Sequence, residues 1–259
     1  MAEQEIENQG ITRQRLAEQF RAAGLKCGDT VLLHSSLKSF GYVDGGAMTV
    51  IRSLMNTIGG EGTLMVPTLT GKREDSVACP PVFDVMKTKC LTGIIPETVR
   101  TMEGAERSLH PTHSVAAIGY RKDYVTKGHE NSKSPCDEKS PYYRNAAIRG
   151  YILLAGVDQE SNTSIHSCEE LAGVPYHLQK EPVKISITGY GGNEVIVTNR
   201  LHNWEKPATD FNKLDELFLE KGIMKKFMAG KSLMRLINAA DMYEFTIDLL
   251  KKNPEFLVV

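Results

Sequence analysis

The chain contains no Cys-x-x-Cys pair, and its five cysteines, Cys27, Cys79, Cys90, Cys136 and Cys168, are odd in number and widely scattered. That pattern excludes a disulfide scaffold and a structural zinc knuckle, so all five are read as reduced thiols. There is no excess of charge of either sign. With a formal net charge of -1 and no run of Lys or Arg, the chain lacks the footprint of a nucleic-acid-binding protein. No stretch approaches the ~20 apolar residues of a membrane span. The start, MAEQEIENQG, is acidic and polar where a secretory leader is basic and then apolar. A cytoplasmic protein with neither nucleic-acid nor membrane partners is expected. Repeats and low-complexity tracts are absent too.

What is present is enough for a full core: 259 residues, 41% hydrophobic and 24% charged. A single domain over 1–259 is expected, with lobes at 1–180 and 181–259. ITRQRLAEQFRAAG reads as an amphipathic helix capped by Thr12 and stopped at Gly24. TVLLH (30–34) then reads as a strand, AMTVIRSLMNTI as a helix with Met48, Ile51, Met55 and Ile58 on one face, and TLMVPT as a second strand. Strand, helix and strand at this length make a βαβ unit. Its parallel pairing places loops at the strand C-termini, where open α/β sheets bind ligands. SVAAIG (114–119) and YILLAG (151–156) read as buried strands, and SIHSCEELAG as a short helix ended by Gly173. KISITG and EVIVT flank YGGN as a hairpin. From Phe211 to Lys252 the pattern reads as mostly helical, so the C-terminal lobe is expected to be a hairpin plus helices.

The stretch NTSIHSCEEL carries the most chemistry. On a helix, Glu169 and Glu170 lie three and four positions after His166 and share its face. A carboxylate on one ring nitrogen fixes the tautomer and leaves the other nitrogen free to accept a proton. Read alone, the same residues also suit a solvated helix start. Cys168, offset by two from His166, lies across the helix and cannot pair with it. Further upstream, Arg107 to Ser114 packs a guanidinium, two imidazoles and three hydroxyls into eight positions before a buried strand. His110 and His113 have metal-ligand spacing, but Pro111 disfavours the helix that would align them.

Six segments in order, LLHSSLKSFGYVDGG, GTLMVPTLT, TKCLTGIIPETVR, RSLHPTHSVAAIG, GHENSKSPCDEKSPYY and GYILLAGVDQESNTSIHSCEELAGVPY, together resemble the aminoglycoside 3-N-acetyltransferase family. Trp204, Asp210, Phe211 and the final helices are compatible with it. The resemblance implies a mixed α/β sheet flanked by helices, acetyl-CoA as co-substrate, no metal, and a small-molecule amine acceptor, the 3-amino group of an aminoglycoside antibiotic. It implies cofactor contacts from His34, Ser35, Ser36 and Leu37, and His166 with Glu169 as base and orienter.

Residue chemistry adds Arg107, with its fork geometry, and His110, Thr112 and Ser114 to the cofactor side. Thr163 or Ser164, at the helix start, is placed to donate to the acetyl oxygen or the leaving sulfur. A cationic acceptor calls for carboxylates near these motifs, and Glu74, Asp75, Asp137 and Glu170 are the expected contacts, with Asp84 and Glu138 nearby. A monomer or homodimer is expected. Lys89 and Cys90 stand where many relatives carry Pro-Ser, and CDEKSPYY replaces a more glycine-rich segment, so a different amine metabolite stays open. Two further readings also stay open: a metal-dependent hydrolase using His110, His113 and His166, and a non-catalytic CoA-binding module.

Overall fold

The computed structural model describes residues 10–259, and the acidic stretch MAEQEIENQ read above lies outside them. Helix α1 (Arg13–Ala22) begins as expected, with the Thr12 hydroxyl accepting from the Arg15 N–H, and buries Leu16, Ala17 and Phe20. Strand β1 (Thr30–Ser35), helix α2 (Gly46–Ile58) and strand β2 (Thr63–Pro67) form the βαβ unit, with β1 and β2 parallel. The buried face of α2 carries Val50, Ile51, Leu54 and Ile58, while Met48 and Met55 lie at its edge. The short β3 (Phe83–Asp84), α3 (Ile94–Thr101), β4 (Glu106–Arg107), β5 (Val115–Gly119), α4 (Lys122–Thr126) and α5 (Pro141–Ala147) lead to β6 (Tyr151–Ala155). Then follow α6 (Ser164–Ala172), β7 (Leu178–Thr188), β8 (Glu194–His202), α7 (Lys213–Glu220), β9 (Met224–Ala229), β10 (Ser232–Asn238) and α8 (Ala239–Lys252).

Seven strands make one mixed sheet in the order β4-β5-β2-β1-β6-β10-β9, in which β1 runs parallel to both β2 and β6. Its central strands are covered on both faces, which explains their unbroken apolar runs. Leu32, Met65, Ile152 and Leu154 face a core shared with Tyr142, Ile165, Cys168 and Met242. Val31, Leu33, Leu64, Val66 and Leu153 face the other core, with Phe20, Ile51 and Leu54. A second sheet, β3-β7-β8, encloses its own cluster of Phe83, Val183, Ile185, Ile187 and Val197.

The C-terminal third departs from the helical expectation. Residues 224–238 form a hairpin, β9–β10, and β10 pairs antiparallel with β6 in the main sheet. The pattern KKFMAGKSLMRLIN mixes Met and Leu with Lys, so its apolar residues fit a helix as readily as a strand; pairing of β10 with β6 selects the strand, and Gly230, at φ 60°, makes the turn of the hairpin. Residues 181–259 are thus shared between the two sheets rather than gathered in one lobe. Among the described residues, no helix is long and apolar enough to cross a membrane.

Gly156 ends β6 in the left-handed region at φ 66°, and a Cβ there would sit 1.8 Å from Ser39 Oγ. It turns the chain into the loop that precedes α6. Gly156→Ala should lower unfolding stability by about 1–3 kcal/mol in urea denaturation; an unchanged midpoint would show that the turn does not need glycine.

Candidate active site

The parallel strands β1 and β6 end at the same edge of the sheet, and the loops leaving them enclose a cavity of about 370 Å³. His34 and Ser35 from β1, Thr112 and His113, Thr163 and His166 line it. A second cavity of about 300 Å³ lies beyond, lined by Lys206, Thr209 and Phe211. Glu160, His166, His202 and Trp204 line both. His166 therefore stands where the two spaces meet.

Helix α6 positions that histidine. The Gly173 residue at φ 76° closes its C-terminus with N–H bonds to the Glu169 and Glu170 carbonyls. His166 Nδ1 lies 2.7 Å from Glu169 Oε2, the i to i+3 pairing expected from the sequence. Glu169 has no exposed surface, and three cations or potential cations surround it: His166, His177 with Nδ1 at 3.2 Å, and Lys206 with Nζ at 4.0 Å. Burial works to raise its carboxyl, but hydrogen bonding to His166 and the charges around it outweigh burial and hold it below the ordinary value. His166 moves down as well, because burial outweighs the Glu169 bond that favours its charged form. At neutral pH it is an imidazole with Nδ1–H donated to Glu169 and Nε2 available as a base.

Glu170 does something else. Its Oε2 accepts from the Ser134 hydroxyl at 2.5 Å and its Oε1 from the Cys136 N–H at 3.0 Å, so it clamps the loop before α5. Burial pushes its carboxyl up to about 8. It therefore faces protein rather than an acceptor. The other expected acceptor contacts also lie elsewhere. Glu74 is exposed and pairs with Lys72 at 3.8 Å, Asp75 closes a turn onto the Lys72 N–H, and Asp137 accepts from the Lys133 and Lys139 N–H groups. Among the described residues lining the two cavities, the carboxylate is Glu160.

The cofactor-side expectations divide. His34 and Ser35 line the larger cavity, and His34 Nε2 and Ser35 Oγ are buried without a hydrogen-bond partner. The Ser36 N–H bonds the Ala155 carbonyl, and Ser36 and Leu37 turn away into a 3-10 turn at Leu37–Phe40. Arg107 is not available to phosphate. It is buried, with Nε on the hydroxyls of Thr68 (3.1 Å) and Ser114 (2.9 Å) and its terminal nitrogens on the carbonyls of Thr68, Val85 and Thr88. It also stacks over Phe83 at 4.7 Å, fastening the small sheet to the large one. Ser114 serves that same staple.

His110 Nδ1 accepts from the N–H groups of Thr112 and His113, at 3.2 and 3.0 Å, and its ring stacks on His129. Thr112 holds His113 Nδ1 at 2.9 Å. The set His110, His113 and His166 is not what the fold assembles as a three-histidine group; among the described residues that group is His166, His177 and His202.

His177 and His202 were not singled out from the sequence. They meet because the ladder of β7 and β8 sets Leu178 opposite His202, and the Asn203 N–H bonds the His177 carbonyl. Counting from the YGGN turn would give that pairing only with knowledge of the irregularity between Leu178 and Pro182. Trp204 packs its edge on His202 at 4.9 Å.

The fold and this site define an α/β protein with a carboxylate-oriented histidine at the C-terminal edge of its parallel strands. A sequence profile described as aminoglycoside 3-N-acetyltransferase matches residues 32–251. The chain belongs to that family. It is 35% identical to aminoglycoside N(3)-acetyltransferase VII of Streptomyces paromomycinus over 182 residues, 64% of this chain and 62% of that protein. That match spans less than two thirds of the Streptomyces relative. It is 30% identical over 259 residues, 90% of each chain, to the SPbeta prophage-derived aminoglycoside N(3')-acetyltransferase-like protein YokD of Bacillus subtilis. The crystal structure of aminoglycoside acetyltransferase AAC(3)-Xa superposes with a TM-score of 0.83 at 29% identity, covering 97% of this chain and 95% of the other.

Burial keeps His34 and His129 at about 3 and His177 at about 4, and lowers His110 and His113 as well, against an ordinary 6.5. The unfolded chain binds these protons near pH 6.5 and the folded chain does not, so stability is complete above 6.5 and is lost as pH falls towards the folded values. The urea midpoint should be markedly lower at pH 5.5 than at 7.5; equal midpoints would mean that the buried imidazoles take up protons without unfolding.

Proposed function

We propose that this chain transfers acetyl from acetyl-CoA to a primary amine, foremost the 3-amino group of an aminoglycoside, with His166 as general base. The observation that carries this is the 2.7 Å His166–Glu169 pair at the meeting of two cavities. Family membership supports the acyl group, the acceptor class and the co-substrate. The unpartnered His34 Nε2 and Ser35 Oγ at the end of β1 fit a polar ligand such as the pantetheine arm, which supports a reading with the donor in the larger cavity and the acceptor in the smaller one.

His166 Nε2 accepts a proton from the acceptor amine as its nitrogen bonds the acetyl carbon. The thioester carbonyl oxygen takes up negative charge, and the Thr163 hydroxyl, at the start of α6 and in the same cavity, is placed to donate to it. The C–S bond then breaks and CoA leaves as thiolate, which the proton neutralises. Transfer is direct. The Cys168 thiol is fully buried in the apolar core, where burial drives it well above its ordinary range, so it stays protonated and out of reach of a thioester.

A second reading rests on Lys206. A cation lining the acceptor cavity, faced by the Glu160 carboxylate, suits an amine with fewer positive charges than an aminoglycoside.

Free-thiol release from acetyl-CoA with a panel of aminoglycosides and simpler amines tests both readings. Release that requires an aminoglycoside and drops about 10²- to 10⁴-fold in kcat in His166→Ala, with acetyl-CoA affinity nearly unchanged, is the expected result. Release with simpler amines alone would favour the second reading, and a His166→Ala enzyme within a few fold of wild type would refute the base. Glu169→Gln should cost more kcat than Glu170→Gln, since the one touches His166 and the other a loop. Activity should rise with pH as His166 deprotonates, with its midpoint below 6.5; a midpoint above that value would mean the Glu169 charge outweighs burial.

A further inference from the structure

We propose that His166, His177 and His202 form a binding site for a divalent d-block cation such as zinc. One ring nitrogen from each lies within 4.8 Å of the others. The three rings make a closed triangle with centroid separations of 4.7, 5.0 and 4.9 Å, and they come from three places in the fold: α6, the residue before β7 and the end of β8. His177 and His202 are 1% and 8% exposed, and the Nδ1 atom of neither makes a hydrogen bond, although His177 Nδ1 lies 3.2 Å from Glu169 Oε2. A buried nitrogen without a hydrogen bond is costly unless something meets it, and for His202 Nδ1 nothing among the described residues does. Imidazole is a borderline ligand suited to zinc, copper and cobalt rather than to magnesium or calcium.

Tetrahedral zinc has Zn–N bonds of about 2.0–2.1 Å, which sets nitrogens about 3.4 Å apart, so the rings close by roughly an ångström on binding. The surroundings supply the remainder of such a site. Glu169 Oε1 is also buried without a hydrogen-bond partner, and its carboxylate stands beside both His166 and His177, where it offsets the charge of a cation and orients its ligands. Lys206, 4.0 Å from Glu169 Oε1, is the opposing charge. Its amine is held by Thr209 Oγ1 at 2.9 Å, at the edge of the acceptor cavity. His166 and His202 open onto both cavities, which gives the cation an entry path and a water for the fourth position. On the acetyltransferase reading above, on which this consequence rests, an occupied site removes His166 as base: zinc inhibits, and a chelator restores activity.

The test begins with binding, in the full chain and without acetyl-CoA. Cys27 and Cys79 are exposed thiols that compete for soft cations, so the background protein carries Cys27→Ser and Cys79→Ser. One equivalent of Co²⁺ should give a visible d–d spectrum that Zn²⁺ displaces, and calorimetry should show one zinc site, weakened at least tenfold in His177→Gln and in His202→Gln. Should those variants fail to fold, zinc-edge X-ray absorption of the zinc-loaded parent should show three imidazole ligands. A missing cobalt spectrum, unaltered zinc affinity in folded variants, or a zinc shell without three imidazoles would overturn the site. Thiol release with added zinc should fall along the same binding curve. Because binding is read without turnover, failure of all acetyl transfer would count against the proposed function, while failure of binding would count against this site alone.

Discussion

A carboxylate with no exposed surface governs the construction of this site. Taking an isolated carboxylate out of water costs several kcal/mol even after the protein relaxes, and the cost is met only by donors and opposite charge held close. Glu169 is such a group, and the elements around it are arranged as its solvation shell. His166 comes from its own helix turn, His177 from the approach to β7, and Lys206 from the segment after β8. The small sheet is therefore part of the candidate site: without β7 and β8, Glu169 keeps one of its three partners.

The same burial sets the chemistry. An imidazole beside an ionised carboxylate ordinarily holds its proton more tightly, and a buried imidazole less tightly; for His166 burial prevails and the ring stays neutral. Neutral His166 can accept a proton, while Glu169 keeps its tautomer and orientation. All seven histidines of the chain lie in or beside this region, and six of them make a continuous series of ring contacts from His129 through His110, His113, His202 and His166 to His177. Their concentration ties the stability of the fold to pH.

Arg107 and Glu170 show how a polar residue in a recognised segment can serve the scaffold. Arg107 belongs to the segment that supplies Thr112 and His113 to the larger cavity and Glu170 follows Glu169, yet each has its hydrogen-bonding groups turned inward, Arg107 onto Thr68, Thr88 and Ser114, Glu170 onto Ser134 and Cys136. A residue type and a position in a motif do not reveal which way a side chain points. The hydrogen-bond inventory does.

The local periodicities determined by themselves the βαβ unit, the central strands, the β7–β8 hairpin, and the helix on which His166 and Glu169 share a face, because each of these depends on residues a few positions apart. The Met- and Lys-bearing segment 224–238 escaped that reading, since its pattern suits helix and strand alike and only pairing with β6 selects the strand. Helix spacing left Glu169 and Glu170 both within reach of His166; the family resemblance pointed to Glu169, and the tertiary structure turned Glu170 onto Ser134 and Cys136 instead. It also placed Glu160 on the cavities in place of Glu74, Asp75 and Asp137, and brought His177 and His202 beside His166. The physical reason is distance along the chain: short-range geometry fixes what shares a helix turn, whereas the company of a buried charge depends on how separate sheets close over it.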